Sequence, residues 1–311
     1  MRSIAVATDF SSCARQAVHW AAELAAAHHA RLLLVHAVTW PAPSVTGSIS
    51  GAMPEMPAVA AQVGRDAEAR ARERLDAFAE TLRSRGLRVE TSVGGGPPVS
   101  VVLDAAAYAD ADLVVTGTHG RTGLRSVLLG STAAALVQES RIPVLTVRDG
   151  TRTEAHGPVL AATDFSPDAD CALTAMAALL EPLAKLTGVV LLHAYHNPME
   201  IQTGPDAQLP EDLLALADAV RRRLERTAGG LRRLGFAVET LALETAAPAE
   251  TIAQTARELD ASLTVLGAAG GSGLRHLLRG HTTPQVLPRV CAAVLTAHAA
   301  ETPRHRGASA G

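Results

Sequence analysis

The sequence contains one strand-and-turn pattern twice: residues Ile4–Ser11 are IAVATDFS, and residues Val159–Ser166 are VLAATDFS. Each copy is a short apolar run that ends in Thr-Asp and leads to a serine, which is a favoured N-cap residue. An almost wholly apolar strand that runs into a helix start is typical of a strand buried on both faces of a parallel sheet. The pattern therefore predicts an α/β fold and suggests that it is built twice.

Three further segments recur in the same order, 150 to 157 residues later in the chain. They are LLLVHAV (Leu32–Val38) and VVLLHAY (Val189–Tyr195), GTHGRTGLRSVLLGST (Gly117–Thr132) and GAAGGSGLRHLLRGHT (Gly267–Thr282), and PVLTV (Pro143–Val147) and AVLTA (Ala293–Ala297). A repeat of this length indicates a domain duplication rather than a solenoid. We expect a first domain at 1–148, a linker at 149–156, a second domain at 157–297 and a disordered tail at 298–311.

Within the first unit, short apolar runs alternate with segments of helical periodicity, which predicts a parallel sheet covered by helices. The predicted strands are Ile4–Thr8, Arg31–Val38, Leu87–Val93, Asp112–Thr116 and Val144–Val147. Long loops are expected at Thr39–Ala58 and, in the second unit, at His196–Pro210. The last strand of each unit is apolar and would be a bare sheet edge on its own, so we expect the two last strands to pair with each other as an intramolecular pseudo-dimer.

Composition excludes several classes of protein. The chain of 311 residues is 48% hydrophobic and has no long apolar stretch or signal-peptide pattern, so we expect a cytoplasmic protein without a membrane partner. Its three scattered cysteines do not form a metal or disulfide pattern. The net charge is −3 and aromatic residues make up 3%, which disfavours nucleic-acid binding. The single lysine, Lys185, does not lie in a Walker A motif.

Candidate binding residues lie where predicted strands end, because ligands of open parallel sheets bind beyond the carboxyl ends of the strands. Asp9 follows the first strand, and Asp164 repeats it in the second unit. An aspartate here either accepts hydrogen bonds from the ribose or base of a ligand or simply orders the turn. Both roles are compatible.

A glycine-rich segment after the fourth strand is the stronger signal. Gly117 and Gly120 are followed by Gly130, Ser131 and Thr132 at the start of an apolar helix. Glycines allow close backbone approach to a ligand, and a helix start offers free amides and a favourable dipole to an anion. The alternative is an ordinary loop with a serine cap. The complete Gly-x2-Gly-x9-Gly-Ser spacing after a strand favours phosphate binding without a lysine.

Together, ATDFS, LVHAV, ADLVVTGTHGRTGL, LLGST and IPVLTV resemble the universal stress protein family, over residues 2–148 and again over 157–297. The resemblance implies two tandem open parallel five-stranded sheets of order 3-2-1-4-5 with helices on both faces, an adenine-nucleotide alpha-hydrolase-like fold. It also implies an ATP site, with or without Mg²⁺. The implied contacts of the first domain are Ala7, Thr8, Asp9, Ala37, Gly117, Gly120, Gly130, Ser131 and Thr132. Family members that do not bind nucleotide typically replace the small residues of this loop, which the first unit retains.

The second unit departs from the motif, so we expect it to bind nucleotide more weakly. Its implied contacts are Asp164, Ala194, Gly267, Gly270, Gly280, His281 and Thr282. His281 stands where the first unit has a serine, Pro284 removes an amide donor from the first helical turn, and Pro288 should shorten or kink the helix.

Several functions are compatible with these features. The first hypothesis is an ATP-binding regulatory protein of the stress response, and the second is a nucleotide-independent scaffold with an unknown protein partner. A homodimer is left open. The sequence shows no set of nucleophile, base and orienting residue, and it contains no metal motif such as His-Glu-x-x-His. An enzymatic role is therefore limited to slow ATP hydrolysis.

Overall fold

A computed structural model describes residues 1–39, 56–119, 129–151, 157–195, 211–268 and 282–299, without the side chains of 56–61 and 211–216. The elements of the first half are β1 (Ser3–Ala7), α1 (Ser12–His28), β2 (Arg31–Val38), α2 (Met56–Arg83), β3 (Arg88–Gly95), α3 (Pro98–Tyr108), β4 (Leu113–Gly117), α4 (Ser131–Glu139) and β5 (Val144–Val147).

The second half repeats this order, with a 3-10 helix (Glu181–Leu186) added after its first α-helix. Its elements are β6 (Val159–Ala162), α5 (Pro167–Leu180), β7 (Gly188–Tyr195), α6 (Glu211–Arg233), β8 (Ala237–Glu244), α7 (Pro248–Glu258), β9 (Leu263–Gly267), α8 (Thr282–Val286) and β10 (Ala293–Ala297). Each helix links two strands, as expected for parallel crossover units.

The strands form one ten-stranded sheet of order β3-β2-β1-β4-β5-β10-β9-β6-β7-β8. Each half has the predicted order 3-2-1-4-5 and is parallel throughout, so the predicted fold class is confirmed. The prediction named two sheets. In the structure, the pairing of β5 with β10 joins the two halves into one continuous sheet.

The junction between the halves is antiparallel and close to symmetric. Leu145 lies opposite Leu295, its counterpart in the repeat, so the local twofold axis passes between these two residues. The hydroxyl of Thr146 donates to the carbonyl oxygen of Val294 at 3.3 Å, and the hydroxyl of Thr296 donates to that of Val144 at 3.3 Å. The expected pairing of the two last strands is confirmed. Because the strands run in opposite directions, the carboxyl ends of the two halves lie at opposite edges of the sheet.

Two apolar layers cover the sheet, one on each face, and both extend through the two halves. Side chains alternate along each strand. Ile4 and Val6 of β1 face α1 and α2, whereas Ala5 faces α3 and α4. Helix α2 contributes Leu75 and Ala79, both fully buried, to the first layer.

Some predicted boundaries differ from the structure. Helix α2 begins at Met56, inside the segment predicted to be loop up to Ala58, because a proline such as Pro57 is tolerated in the first helical turn. Strand β3 continues to Gly95, since its last residues remain paired with β2. The rest of the predicted loop at Thr39–Ala58, from residue 40 to residue 55, lies outside the described residues, as does the loop at His196–Pro210.

The linker and tail are described only in part. Residues 152–156 and 300–311 lie outside the described residues. His298 donates through Nε2 to the carbonyl oxygen of Val137 at 2.7 Å, which links the end of β10 to α4 of the first half. Within the described ranges, no helix is both long and apolar enough to cross a membrane.

We predict that Leu145 and Leu295 are energetically coupled, because both are fully buried and face each other across the junction. Each change to alanine should lower the free energy of unfolding by about 2–5 kcal/mol. The double variant should depart from the sum of the single losses by at least about 0.5 kcal/mol, measured by urea unfolding. The matched control pairs Leu145→Ala with Leu32→Ala, a buried residue of β2, whose losses should add. Additive losses at the junction would contradict the pairing.

Candidate functional site

The ends of β1, β2 and β4 form the centre of the candidate site. Strand β1 is paired in parallel with both neighbours, so the three strands end at one edge of the sheet. Ala7, Ala37 and Gly117 lie at these ends. The fold thus brings together predicted site residues that are far apart in the sequence, at the switch in strand order where open sheets bind ligands.

Asp9 takes part in a hydrogen-bonded turn between β1 and α1. Its Oδ1 accepts from the amide of Ser11 at 3.0 Å, and the hydroxyl of Thr8 accepts from the amide of Phe10 at 3.1 Å. Ser11 then caps α1 by accepting from the amide of Ala14 at 3.2 Å. The turn-ordering role of Asp9 is therefore present in the structure. It leaves the half-buried carboxylate at the edge where a ligand would lie.

Helix α4 begins at the same edge. Its N-cap is Gly130, whose amide donates to the carbonyl oxygen of Thr118 at 2.8 Å, just beyond β4. A glycine cap supplies no side-chain oxygen to the first helical amides, and these amides have no partner within the helix. Ser131 is exposed and Thr132 is half-buried at this helix start. Gly120, the remaining predicted contact of this loop, lies outside the described residues.

The structure gives Gly117 and Gly130 a role in packing. A Cβ atom at Gly117 would lie 2.9 Å from the carbonyl carbon of Cys13 and 3.0 Å from the amide nitrogen of Ala14, both in the first turn of α1. A Cβ atom at Gly130 would lie 2.9 Å from the carbonyl oxygen of Thr118. A side chain at either position would therefore meet backbone atoms of this chain, whether or not a ligand is bound.

The second half repeats the edge but changes the helix. Asp164 accepts from the amide of Ser166 at 2.9 Å, and Ala194 and Gly267 lie at the ends of β7 and β9. Helix α8 begins at Thr282 and ends at Val286, which confirms that the helix is shortened ahead of Pro288. Proline disfavours helical geometry in the preceding residue, which explains the early end. Gly270, Gly280 and His281 lie outside the described residues.

Comparison with known proteins agrees with this architecture. The model of the universal stress protein family matches residues 1–148 and again residues 156–298. The chain belongs to this family. It is a tandem member, with one family domain in each half of its sheet. The motif resemblance noted in the sequence is thereby confirmed.

Relatives of the same length are found at low identity. A universal stress protein of Mycolicibacterium smegmatis is 29% identical over 295 residues, which cover 91% of this chain and 92% of the relative. The crystal structure of a universal stress protein from Archaeoglobus fulgidus covers 96% of each chain with a TM-score of 0.61 at 17% identity. A universal stress protein solved in complex with cAMP covers 49% of this chain and 98% of its own, with 25% identity and a TM-score of 0.30.

One feature beside the site was not predicted. The ring centroids of Phe10 and His36 lie 4.7 Å apart. The guanidinium of Arg74 lies 4.1 Å from the centroid of the Phe10 ring. The recurrence of Phe, His and Arg at matching positions of both units was the available signal in the sequence.

Two further features of the described residues concern ligand sites: the arrangement of their metal-binding side chains, and a cavity away from the carboxyl ends of β9 and β10. No group of three or more acidic, histidine or cysteine side chains is arranged to hold a metal ion among the residues that the structure describes. A cavity of about 240 Å³ is lined by Thr151, Arg257, Ser262 and Cys291, among others. It lies where β9 and β10 begin, at the edge opposite their carboxyl ends.

We predict that Gly117→Ala destabilises the first domain. The added methyl would meet the backbone of α1, and such overpacking costs about 1–3 kcal/mol. The matched control is Gly188→Ala, because a Cβ atom at Gly188 meets no atom within 4 Å. Differential scanning calorimetry should show a lower Tm for the first variant and an unchanged Tm for the second. Equal Tm values for Gly117→Ala and wild type would show that α1 lies further from β4.

Proposed function

We propose that the chain is an ATP-binding regulatory protein of the stress response, with the nucleotide held mainly by the first domain. The observation that carries this proposal is the meeting of Asp9, Ala37 and the start of α4 at one sheet edge. We also propose domain limits of 1–148 and 157–297, with a linker between them. The site is independent of lysine, which sets it apart from a Walker A site.

The strand ends and the start of α4 would contact different parts of the nucleotide. Asp9 and Ala37 lie at the ends of adjacent strands and would contact the adenosine, with the carboxylate accepting from ribose hydroxyls. The start of α4 would receive the phosphates. Charge favours this orientation, since an anion at a helix N-terminus gains about 0.3–1 kcal/mol from the dipole. Each hydrogen bond to a charged phosphate adds about 1.5–3 kcal/mol.

The regulatory role follows from what the site holds. The edge offers backbone amides and hydroxyls suited to binding, and we assign no residue as nucleophile or general base. Slow hydrolysis of bound ATP, with Mg²⁺ supplied by solution, is compatible with such a site. A nucleotide-independent scaffold is the alternative function, and it is the one that a lack of measurable nucleotide binding would favour.

The sharpest test of the first site is Ser131→Glu. The residue is exposed in the first turn of α4, where a carboxylate stabilises the helix but competes with and repels a phosphate. We expect ATP affinity to fall by at least about tenfold, equivalent to about 1.4 kcal/mol, with Tm unchanged or raised. Ser131→Gln, of similar size without charge, should lose only a few-fold. Isothermal titration calorimetry of each full-length variant measures the ATP affinity, and differential scanning calorimetry measures the Tm.

Other ligands test where the phosphates lie. AMP and cAMP each have one phosphate, so both should bind the wild-type chain more weakly than ATP if α4 holds the terminal phosphates. The Ser131→Glu change should weaken ATP more than AMP. Equal ATP binding by Ser131→Glu, Ser131→Gln and wild type would place the phosphates elsewhere.

We further propose that the second domain binds ATP more weakly than the first. Its helix α8 is five residues long, against nine for α4, and Pro284 supplies no amide donor. Loss of one or two contacts to charged phosphate weakens binding by about tenfold to several hundredfold. Calorimetry should show one tight ATP per chain. Thr282→Glu should leave this tight step unchanged, whereas Ser131→Glu should weaken it by at least about tenfold. Two equal steps would contradict the asymmetry.

A further inference from the structure

Phe10 has a backbone conformation that is rare for a bulky residue. Its φ is 65°, in the left-handed region, directly after Asp9. A non-glycine residue there is strained by about 1–3 kcal/mol and persists only when its surroundings hold it. The groups that hold Phe10 should therefore also determine the geometry of the aspartate turn.

Besides its packing against the apolar layer, the Phe10 ring has an aromatic contact and a cation–π contact from other elements. These contacts come from His36 of β2 and Arg74 of α2, and we call the three residues the aromatic clamp. The imidazole of His36 packs against the ring at 4.7 Å between centroids, and the Arg74 guanidinium lies 4.1 Å from the ring centroid, a favourable cation–π distance. Through the clamp, β2 and α2 both contact the residue next to Asp9.

The side chain of His36 also bonds to the backbone of the turn. Its Nδ1 lies 2.6 Å from the carbonyl oxygen of Thr8. A carbonyl oxygen only accepts, so Nδ1 bears the proton and donates. This bond ties the end of β2, next to Ala37, to the residue before Asp9. The imidazole thereby fixes the spacing between the two strand ends proposed to contact adenosine.

The second domain builds the same clamp from matching positions. Phe165 has a φ of 60° and lies 4.5 Å from the ring of His193, with the Arg223 guanidinium 4.5 Å from its centroid. The Nδ1 of His193 lies 2.7 Å from the carbonyl oxygen of Thr163. Two halves that differ at the phosphate end have thus kept the same strained residue and the same supports beside the aspartate.

We propose that His36 is a positioning residue for nucleotide binding, which acts by holding Phe10 in the left-handed conformation that orients Asp9. Arg74 supports the same ring from α2. The proposal rests on the proposed ATP site for its functional part. Its conformational part, that His36 maintains the Asp9–Ser11 turn, is independent of any ligand.

The conformational part is tested by hydrogen exchange of the full-length protein without nucleotide. His36→Leu removes the donor to Thr8, so the amides of Phe10 and Ser11, which donate to Thr8 Oγ1 and Asp9 Oδ1, should exchange faster by about tenfold or more. His36→Asn keeps a donor near the Nδ1 position and should restore most of the protection. His193→Leu should accelerate Phe165 and Ser166 instead. Unchanged exchange in His36→Leu would overturn the proposal.

The functional part is tested by ATP titration of the same variants. We expect His36→Leu to weaken ATP by about tenfold, as for loss of one good hydrogen bond, and His36→Asn to recover most of the affinity. His19→Leu is the matched control, since His19 is exposed on α1 and lies outside the clamp. Rescue by asparagine separates positioning from a general packing defect, because leucine and asparagine are of similar size.

The two tests fail separately. If wild type binds no ATP but His36→Leu accelerates exchange at Phe10 and Ser11, the proposed function fails and the clamp stands. If wild type binds ATP and His36→Leu binds it equally well, the positioning role is overturned while the ATP site stands. Equal losses in His36→Leu and His36→Asn would also overturn the role of the Nδ1 donor.

Discussion

The backbone pairing of β5 with β10 is the interaction on which the form of the whole molecule depends. Each half ends in an apolar strand whose amides and carbonyls would otherwise face solvent, an arrangement that invites pairing with another chain. Duplication within one chain satisfies both edges at once. It also places Leu145 against Leu295 and threonine hydroxyls on opposite carbonyls. The two apolar layers can then continue from one half into the other without a break.

Much of this architecture could be predicted because it depends on patterns that are local in sequence. Apolar runs, helix caps and the repeat gave the strands and their order of succession, and Pro288 marked the early end of α8. The pairing of the last strands followed from the same reasoning, since an apolar edge strand needs a partner. Only the strand order rested on the family resemblance.

The features that were missed depend on which backbone segments meet in space. Nothing near Gly117 in the sequence shows that the first turn of α1 lies 2.9 Å from where its Cβ would be. Phenylalanine is likewise a poor candidate for a left-handed residue, so the strain at Phe10 could not be foreseen. The third strand was predicted to end at Val93, yet its pairing with β2 continues through Gly94 and Gly95.

The antiparallel junction gives the chain a polarity that a single domain lacks. Every strand of the first half points toward one long edge of the sheet, and every strand of the second half points toward the other. Whatever approaches the aspartate turn of one half therefore arrives from the direction opposite to an approach on its counterpart. Two partners bound at the two edges would lie at opposite edges of one continuous sheet, so the chain has the geometry of a two-ended connector.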